Sequence, residues 1–339
     1  MNIAVIGYGY WGPNLVRNFS WTEGVQVKYV CDLDEKRLSK VKPMFPNVEK
    51  ITTHYMEALA DPEIEAVAIA TPVASHFKLA KDALEAGKHV LIEKPMTDNS
   101  RDSQALVDLA HKHNRIIMVD HTFLYTGAVR KIKELVSSGA IGEVYYFDSV
   151  RVNLGLFQTD VNVIWDLAPH DLSIMNHIID KKPVSVSAIG VAHVQSDMEN
   201  LAYMNVFYDD STLAHFHVNW LSPIKVRQIM IGGSEKMIVY DDMDNNEKIK
   251  VYDKGVQHNP QDKDAIYKTL IQYRTGDMYA PKLDNAEALK MECQDFIDCV
   301  KDNRQPTSNG EFGHEIVKML EAAQASIKQQ GKIIELDSL

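Results

Sequence analysis

The stretch NIAVIGYGYWGPNLVRNF, Asn2 to Phe19, decides how the first part of the chain folds. Ile3-Ala4-Val5-Ile6 is an unbroken apolar run, the pattern of a strand buried on both faces of a parallel sheet. Glycines follow at positions 7, 9 and 12, and a helical pattern then runs from Pro13 to about Phe19. In that setting each glycine has a task. Gly7 allows the tight turn, Gly9 lets backbone approach a pyrophosphate, and Gly12 lets the helix pack closely on the strand. The helix N-terminus offers unpaired N–H groups and a partial positive charge to the phosphates. Asp32, 20 residues after Gly12 at the end of the second strand, is placed to accept both ribose hydroxyls. A carboxylate there repels a 2′-phosphate, which favours NAD over NADP. Lys36 and Arg37 fall in the next helix, on its solvated face.

Working outward, 339 residues make two domains the expectation. A net charge of −11 argues against nucleic acid or an anionic membrane surface as partner, since both demand a basic face. A small anionic ligand needs only a local cluster of donors. No apolar stretch approaches the roughly 18–20 residues of a bilayer span, and the N-terminus reads as a strand rather than a signal segment. Cys31, Cys293 and Cys299 are odd in number and scattered. They suit neither a disulfide framework nor a CxxC metal pair, so no metal is expected and the reading is cytoplasmic.

Up to about residue 122, short apolar runs alternate with helical patterns. The strands read as 25–31, 65–71, 89–92 and 115–119, and the helices as 35–42, one around Phe77, Ala80 and Leu84 ending at Gly87, and 103–113. This predicts an α/β fold with a doubly wound parallel sheet over 1–122. From 123 the rhythm changes. A helix at 128–138 leads to a strand at 143–152, and another helix begins near Asp166. Strand candidates then succeed one another at 184–195, 200–208, 212–220, 226–233 and 235–241. Without helices between them they predict a large, open, mostly antiparallel sheet within a second α/β domain, 123–339. Helices at about 285–302 and 312–330 and a short strand at 333–336 close the chain, and 253–282 reads as loop.

Two further motifs carry chemistry. HVLIEKPMT, residues 89–97, ends a buried strand and presents Glu93, Lys94 and Pro95 at the carboxyl edge of the sheet, where doubly wound folds bind ligands. A lysine there can hydrogen-bond a substrate hydroxyl and stabilise a developing alkoxide; a surface lysine before a turn proline is the plainer reading. In WDLAPHD, residues 165–171, Asp166 and His170 are i and i+4 neighbours on a helix. An imidazole titrates near neutrality and can take a hydroxyl proton, with the carboxylate orienting it or the substrate. A helix N-cap at Asp166 with an interior His170 is the alternative.

Together GYGYWG, EKP and Asp166-x-x-x-His170, in that order and widely spaced, resemble the Gfo/Idh/MocA oxidoreductases over essentially the full length. The resemblance implies a Rossmann domain followed by a mixed α/β domain with an open sheet. It implies that Lys94 and His170 handle the proton while nicotinamide takes hydride from a sugar or cyclitol carbon, and that Asp166 positions the hydroxyl. It also implies a cis Lys94–Pro95 bond, and places Thr71, Pro72 and His76 beside the nicotinamide ribose. Two departures stand out. Ser173 occupies the position where many relatives have a carboxylate, Asp171 following the histidine instead. Asp120-His121-Thr122-Phe123-Leu124-Tyr125 replaces the Asn-Arg pair common after the last Rossmann strand.

GYGYWGPNLVRNF, WDLAPHDLSI and NWLSPIKVR further resemble the family's nucleotide-sugar branch. That implies oxidation at C3 of a UDP-N-acetylhexosamine, in surface-polysaccharide or amino-sugar biosynthesis. Arg151, Lys225 and Arg227 are candidates for the diphosphate, with Asn153 and Tyr125 for the sugar; Lys225 and Arg227, two apart on a strand, share a face, which could equally be solvated or a subunit contact. Tyr8, Tyr10 and Trp11 either wall the cofactor or substrate entrance or pack the loop. An inositol or free-sugar dehydrogenase, a ketosugar reductase and a non-enzymatic NAD-binding regulator are the competing readings. The open sheet suggests a homodimer or homotetramer.

Overall fold

A computed structural model describes residues 1–155, 157, 161–194, 198–258 and 271–339. The chain begins with β1 (Asn2–Ile6), α1 (Gly12–Trp21), β2 (Gln26–Cys31), α2 (Glu35–Leu38), α3 (Val41–Met44) and β3 (Lys50–Thr52). It continues with α4 (Tyr55–Ala60), β4 (Ala66–Ile69), α5 (His76–Glu85), β5 (His89–Glu93), α6 (Ser100–His113) and β6 (Ile117–Asp120). Then come α7 (Gly127–Ser137), β7 (Val144–Leu154), α8 (Val163–Ile178), β8 (Pro183–Val191), β9 (Leu201–Tyr208) and β10 (Leu213–Asn219). Six strands follow: β11 (Leu221–Gly233), β12 (Met237–Asp241), β13 (Ile249–Tyr252), β14 (Gly255–His258), β15 (Ile271–Arg274) and β16 (Met278–Tyr279). The chain closes with α9 (Ala288–Asp302), α10 (Gly310–Lys328) and β17 (Ile334–Glu335).

Two compact units result: Met1–Tyr125 with Ala286–Glu321, and Thr126–Asn285 with Ala322–Leu339. The first holds a parallel sheet in the order β3-β2-β1-β4-β5-β6, the doubly wound arrangement with its switch point between β1 and β4. β1, β4, β5 and β6 are buried almost throughout, as their apolar runs require. The expectation of an uninterrupted second domain over 123–339 is corrected here. α9 returns to the first unit, where Phe296 meets Phe19 of α1 edge to face at 6.4 Å. Ser308 and Asn309 then cover the outer edge of β6, Val119 N donating to Ser308 O at 2.8 Å and Met118 bridging Asn309. An uncovered strand edge and the apolar side of α1 are the physical reasons for the return.

The second unit is built on a sheet of nine strands in the order β16-β13-β12-β11-β7-β10-β9-β8-β17, antiparallel except for the β7–β10 pair. Alternation assigns its faces. Ala202, Met204, Val206, Ala214, Phe216 and Val218 are buried, while their strand neighbours Tyr203, Asn205, Leu213 and His215 look outward. β14 and β15 form a separate two-stranded sheet. They lie in the stretch expected as loop, of which 259–270 fall outside the described residues, as does 195 at the end of one strand candidate. The helix expected at 35–42 is two short helices, α2 and α3, and the elements between 43 and 64 carried no sequence signal. Among the described residues no helix is long and apolar enough to cross a membrane.

Candidate functional site

In the first unit the glycine loop is built as its spacing requires. Gly7 has φ +97°, and a Cβ on it would stand 2.4 Å from Ala70 O. A Cβ on Gly12 would stand 2.1 Å from Gly7 O, so helix and turn leave no room for a side chain. Gly9 is different: the nearest atom to a Cβ there is the Arg37 guanidinium at 3.5 Å, so the backbone is open to approach from outside. α1 starts without a side-chain cap and without an acidic residue in its first turn. These features fit a dinucleotide pyrophosphate. Asp32 Oδ2 accepts from Tyr8 N at 2.6 Å and Oδ1 from Asp34 N at 2.8 Å, so the carboxylate also braces the loop. Arg37, expected to face only solvent, is exposed but turns its guanidinium to 3.7 Å from Asp32. Tyr10 is 92% exposed, whereas Tyr8 is buried.

Trp11 is fixed by a contact the sequence did not announce. Its indole Nε1 donates to Asp120 Oδ2 at 2.6 Å, and Thr122 Oγ1 donates to Asp120 Oδ1. Asp120 ends β6 in register with Glu93, which ends β5, so both carboxylates stand at the carboxyl edge of the sheet. Lys94 follows, its backbone N donating to Glu93 Oε2 at 2.7 Å, and the Lys94–Pro95 bond is cis. His76 does not stand open to a ribose. Its ring is buried, Nδ1 lying 3.0 Å from Pro95 O and Nε2 2.8 Å from Thr71 O. It ties the turn after β4 to the turn after β5, and burial holds its pKa below the ordinary histidine value against those two carbonyls. Thr71 accepts from Ser75 Oγ at 2.7 Å, and Pro72 is exposed. His121 is buried, its pKa pushed down to about 3 by burial and then by Lys94. Tyr125, expected at the substrate, is buried and donates to Asp295 Oδ2 on α9 at 2.8 Å.

In the second unit α8 begins at Val163, capped by Asn162, whose Oδ1 accepts from Ile164 N and Trp165 N. Asp166 is therefore not the cap. It lies in the first turn, half-buried, and its Oδ2 accepts from Trp220 Nε1 at 3.0 Å. His170 stands one turn later on the same side, also half-buried. Pro169 sits within the helix and has no N–H for the Trp165 carbonyl. Ser173 Oγ donates to His170 O at 2.7 Å, and so stays on the helix backbone.

Arg151 is the main correction. Strand alternation turns it with Phe147 and Ser149 to the covered face of β7, where it is 3% exposed. It pairs bidentately with Asp171, Nε to Oδ2 at 3.0 Å and NH2 to Oδ1 at 2.6 Å, and Ser149 Oγ donates to the same carboxylate at 2.7 Å. The pair binds α8 to β7; Asp171 and Arg151 are committed to each other. Arg227 opposes Arg151 in the ladder and pairs with Asp242 at 3.3 Å. Lys225 lies in the stretch of β11 between Leu221 and Val226 where the register with β7 shifts, and it is exposed. Asn153 is half-buried near the end of β7.

Comparison with known proteins agrees with this layout. Residues 1–121 match the NAD-binding Rossmann-fold model of the GFO/IDH/MocA oxidoreductase family, and residues 129–239 its C-terminal domain model. A UDP-N-acetylglucosamine 3-dehydrogenase from Acidithiobacillus ferrooxidans is 25% identical over 325 residues, 94% of each chain. A myo-inositol 2-dehydrogenase from Thermotoga maritima is 22% identical over 358 residues, 98% of each. Among solved structures, that of a UDP-N-acetylglucosamine 3-dehydrogenase from Acidithiobacillus ferrooxidans has a TM-score of 0.81 at 23% identity, covering 97% of this chain and 98% of its own. An oxidoreductase from Agrobacterium radiobacter, solved with NAD+, L-tartaric acid and magnesium, has a TM-score of 0.81 at 19% identity, covering 100% of this chain and 99% of its own. The chain belongs to the GFO/IDH/MocA family of NAD-dependent oxidoreductases.

Proposed function

We propose that this chain oxidises the ring C3 hydroxyl of a UDP-N-acetylhexosamine to the ketone. The observation that carries the reading is the similarity to a UDP-N-acetylglucosamine 3-dehydrogenase over 94% of both chains. NAD supplies the hydride acceptor when bound. Lys94 hydrogen-bonds the reacting oxygen and stabilises the alkoxide character that grows as the carbon–hydrogen bond breaks. His170 takes the hydroxyl proton on a ring nitrogen, and Asp166 orients the hydroxyl. Hydride leaves carbon, the proton leaves oxygen, and the carbonyl forms. Of the cations considered for the diphosphate, Lys225 serves best, because Arg151 and Arg227 are held by Asp171 and Asp242. The ketone is a substrate for an aminotransferase, which places the reaction in amino-sugar or surface-polysaccharide biosynthesis.

A second reading, a free cyclitol dehydrogenase, is favoured by the same pairing of the two arginines and by the inositol dehydrogenase relative. Following NADH formation at 340 nm with UDP-sugars, dTDP-sugars, free sugars and inositols separates the two. Turnover with UDP-N-acetylhexosamines and none with inositols is the expected outcome; activity confined to free polyols overturns the proposal.

The same reading includes a homodimer or a homotetramer in which a second copy covers the open face of the nine-stranded sheet. That face carries Tyr146, Leu213 and Tyr203, the last stacked on His217 at 4.6 Å, an aromatic surface poorly suited to water. Light scattering at micromolar concentration is expected to give at least twice the monomer mass, and a monomer would contradict it.

A further inference from the structure

Glu292, on α9, has no part in the proposed reaction, yet it is wholly buried at the carboxyl edge of the first unit's sheet. Its carboxyl lies against Asp120 and the Thr122 hydroxyl, with Glu93 beyond. Neither of its oxygens meets a partner in hydrogen-bond geometry. Asp120 itself is 2% exposed and already accepts from the Trp11 indole and from Thr122. Two carboxylates in contact without a solvent shell cannot both keep a charge. The partner that loses its proton less readily is the one without donors, which is Glu292. A proton on Glu292 lets its carboxyl act as a donor towards the Asp120 carboxylate, which gives one of its orphaned oxygens a partner.

We propose that Glu292 is a positioning residue for the dinucleotide loop: as a neutral carboxylic acid it backs the Asp120 carboxylate, which in turn holds the Trp11 indole and with it the turn from Gly9 to Gly12. Trp11 is the residue immediately before α1, so a displacement of its ring displaces the helix start that faces the pyrophosphate. Burial, followed by the charge of Asp120, pushes the Glu292 pKa well above its ordinary value. Tyr125 and Cys293, the other titratable groups near it, are pushed up as well, and His121 is pushed down to about 3, so none of the three changes charge near neutrality. Lys94 and Glu93 are charged groups at the same edge, and Glu287 and Asp295 act on Cys293 and Tyr125 from α9 and the residue before it.

The sign of the effect is fixed by linkage. The folded protein holds a proton that the unfolded chain releases near 4.5, so Glu292 lowers folding stability as pH rises from that value to its raised native one. Above the native value Glu292 ionises, repels Asp120 and loosens the hold on Trp11. The inference rests on NAD binding by this unit, and its test therefore includes a measurement made without NAD. NAD dissociation constants are determined by calorimetry from about pH 6 to about pH 10 for wild type, Glu292→Gln, Asp120→Asn and Trp11→Phe. The wild-type constant is expected to rise at least about tenfold towards alkaline pH, and Glu292→Gln, which carries no charge at any pH, to remove that rise. Trp11→Phe and Asp120→Asn are expected to weaken binding at every pH. In parallel, the emission of Trp11 in the ligand-free protein, taken as wild type minus Trp11→Phe, is expected to titrate in wild type and to stay flat when Glu292 is Gln. The same alkaline rise in Glu292→Gln as in wild type, or a Trp11 emission that titrates equally in both, would overturn the proposal. Failure of wild type to bind NAD at any pH would sink the cofactor reading alone, and the emission titration would still decide the role of Glu292.

Discussion

Lys94→Met is expected to lower kcat by about 10²–10⁴-fold while leaving the NAD dissociation constant nearly unchanged. Methionine keeps the unbranched apolar stem and removes only the ammonium group. The features that direct residue 94 do not involve that group: the backbone N is held by Glu93, and the Pro95 carbonyl is held by His76. The glycine loop, Asp32 and the start of α1 are likewise untouched by the change. The variant thus separates binding of the cofactor from stabilisation of the reacting oxygen. Steady-state turnover together with calorimetric NAD binding checks it, and an unchanged turnover would remove Lys94 from the reaction.

Arg151→Ala should be among the most destabilising single substitutions in the second unit. It leaves the Asp171 carboxylate buried without its cation, the Ser149 hydroxyl still donating to it. Breaking a buried pair from one side costs about 3–5 kcal/mol, whereas replacing both members with apolar groups of similar volume is often neutral. The thermal midpoint of Arg151→Ala is expected to fall by about 6 °C or more. The double change Arg151→Met with Asp171→Leu is expected to recover most of that loss. Scanning calorimetry of the single and double variants gives the comparison. Wild-type stability in Arg151→Ala combined with a raised substrate KM would return the arginine to the substrate site.

Arg151 also shows where reading the sequence reaches its limit. The parallel sheet, the glycine turn and the position of Asp32 depend on residues close together in the chain, and their spacing alone constrains them. Whether a polar strand residue faces solvent or a covering helix depends on what packs above it, and an arginine on the covered face of β7 has the sequence signature of a surface one. Trp11 and Asp120 are 109 residues apart, and nothing in either neighbourhood names the other. One general cue was available: Asp120 ends a strand at the edge where Glu93 and Lys94 stand, and that edge is where such folds place ligands. His76 illustrates the opposite error. Its place in the turn after β4 was legible, but not that two backbone carbonyls occupy both ring nitrogens.

The return of α9 to the first unit has a consequence for the order in which the protein can be made. The cofactor-binding sheet is encoded first, yet the chain that covers the β6 edge and buries Phe19 against Phe296 is encoded near the end. At typical rates of synthesis, the 196 residues that follow Tyr125 up to Glu321 take about 10–40 s to emerge. For that interval the nascent unit presents an unpaired strand edge and an open apolar helix face, a surface suited to chaperone binding. The nucleotide-binding unit is thus the first to start folding and among the last to finish.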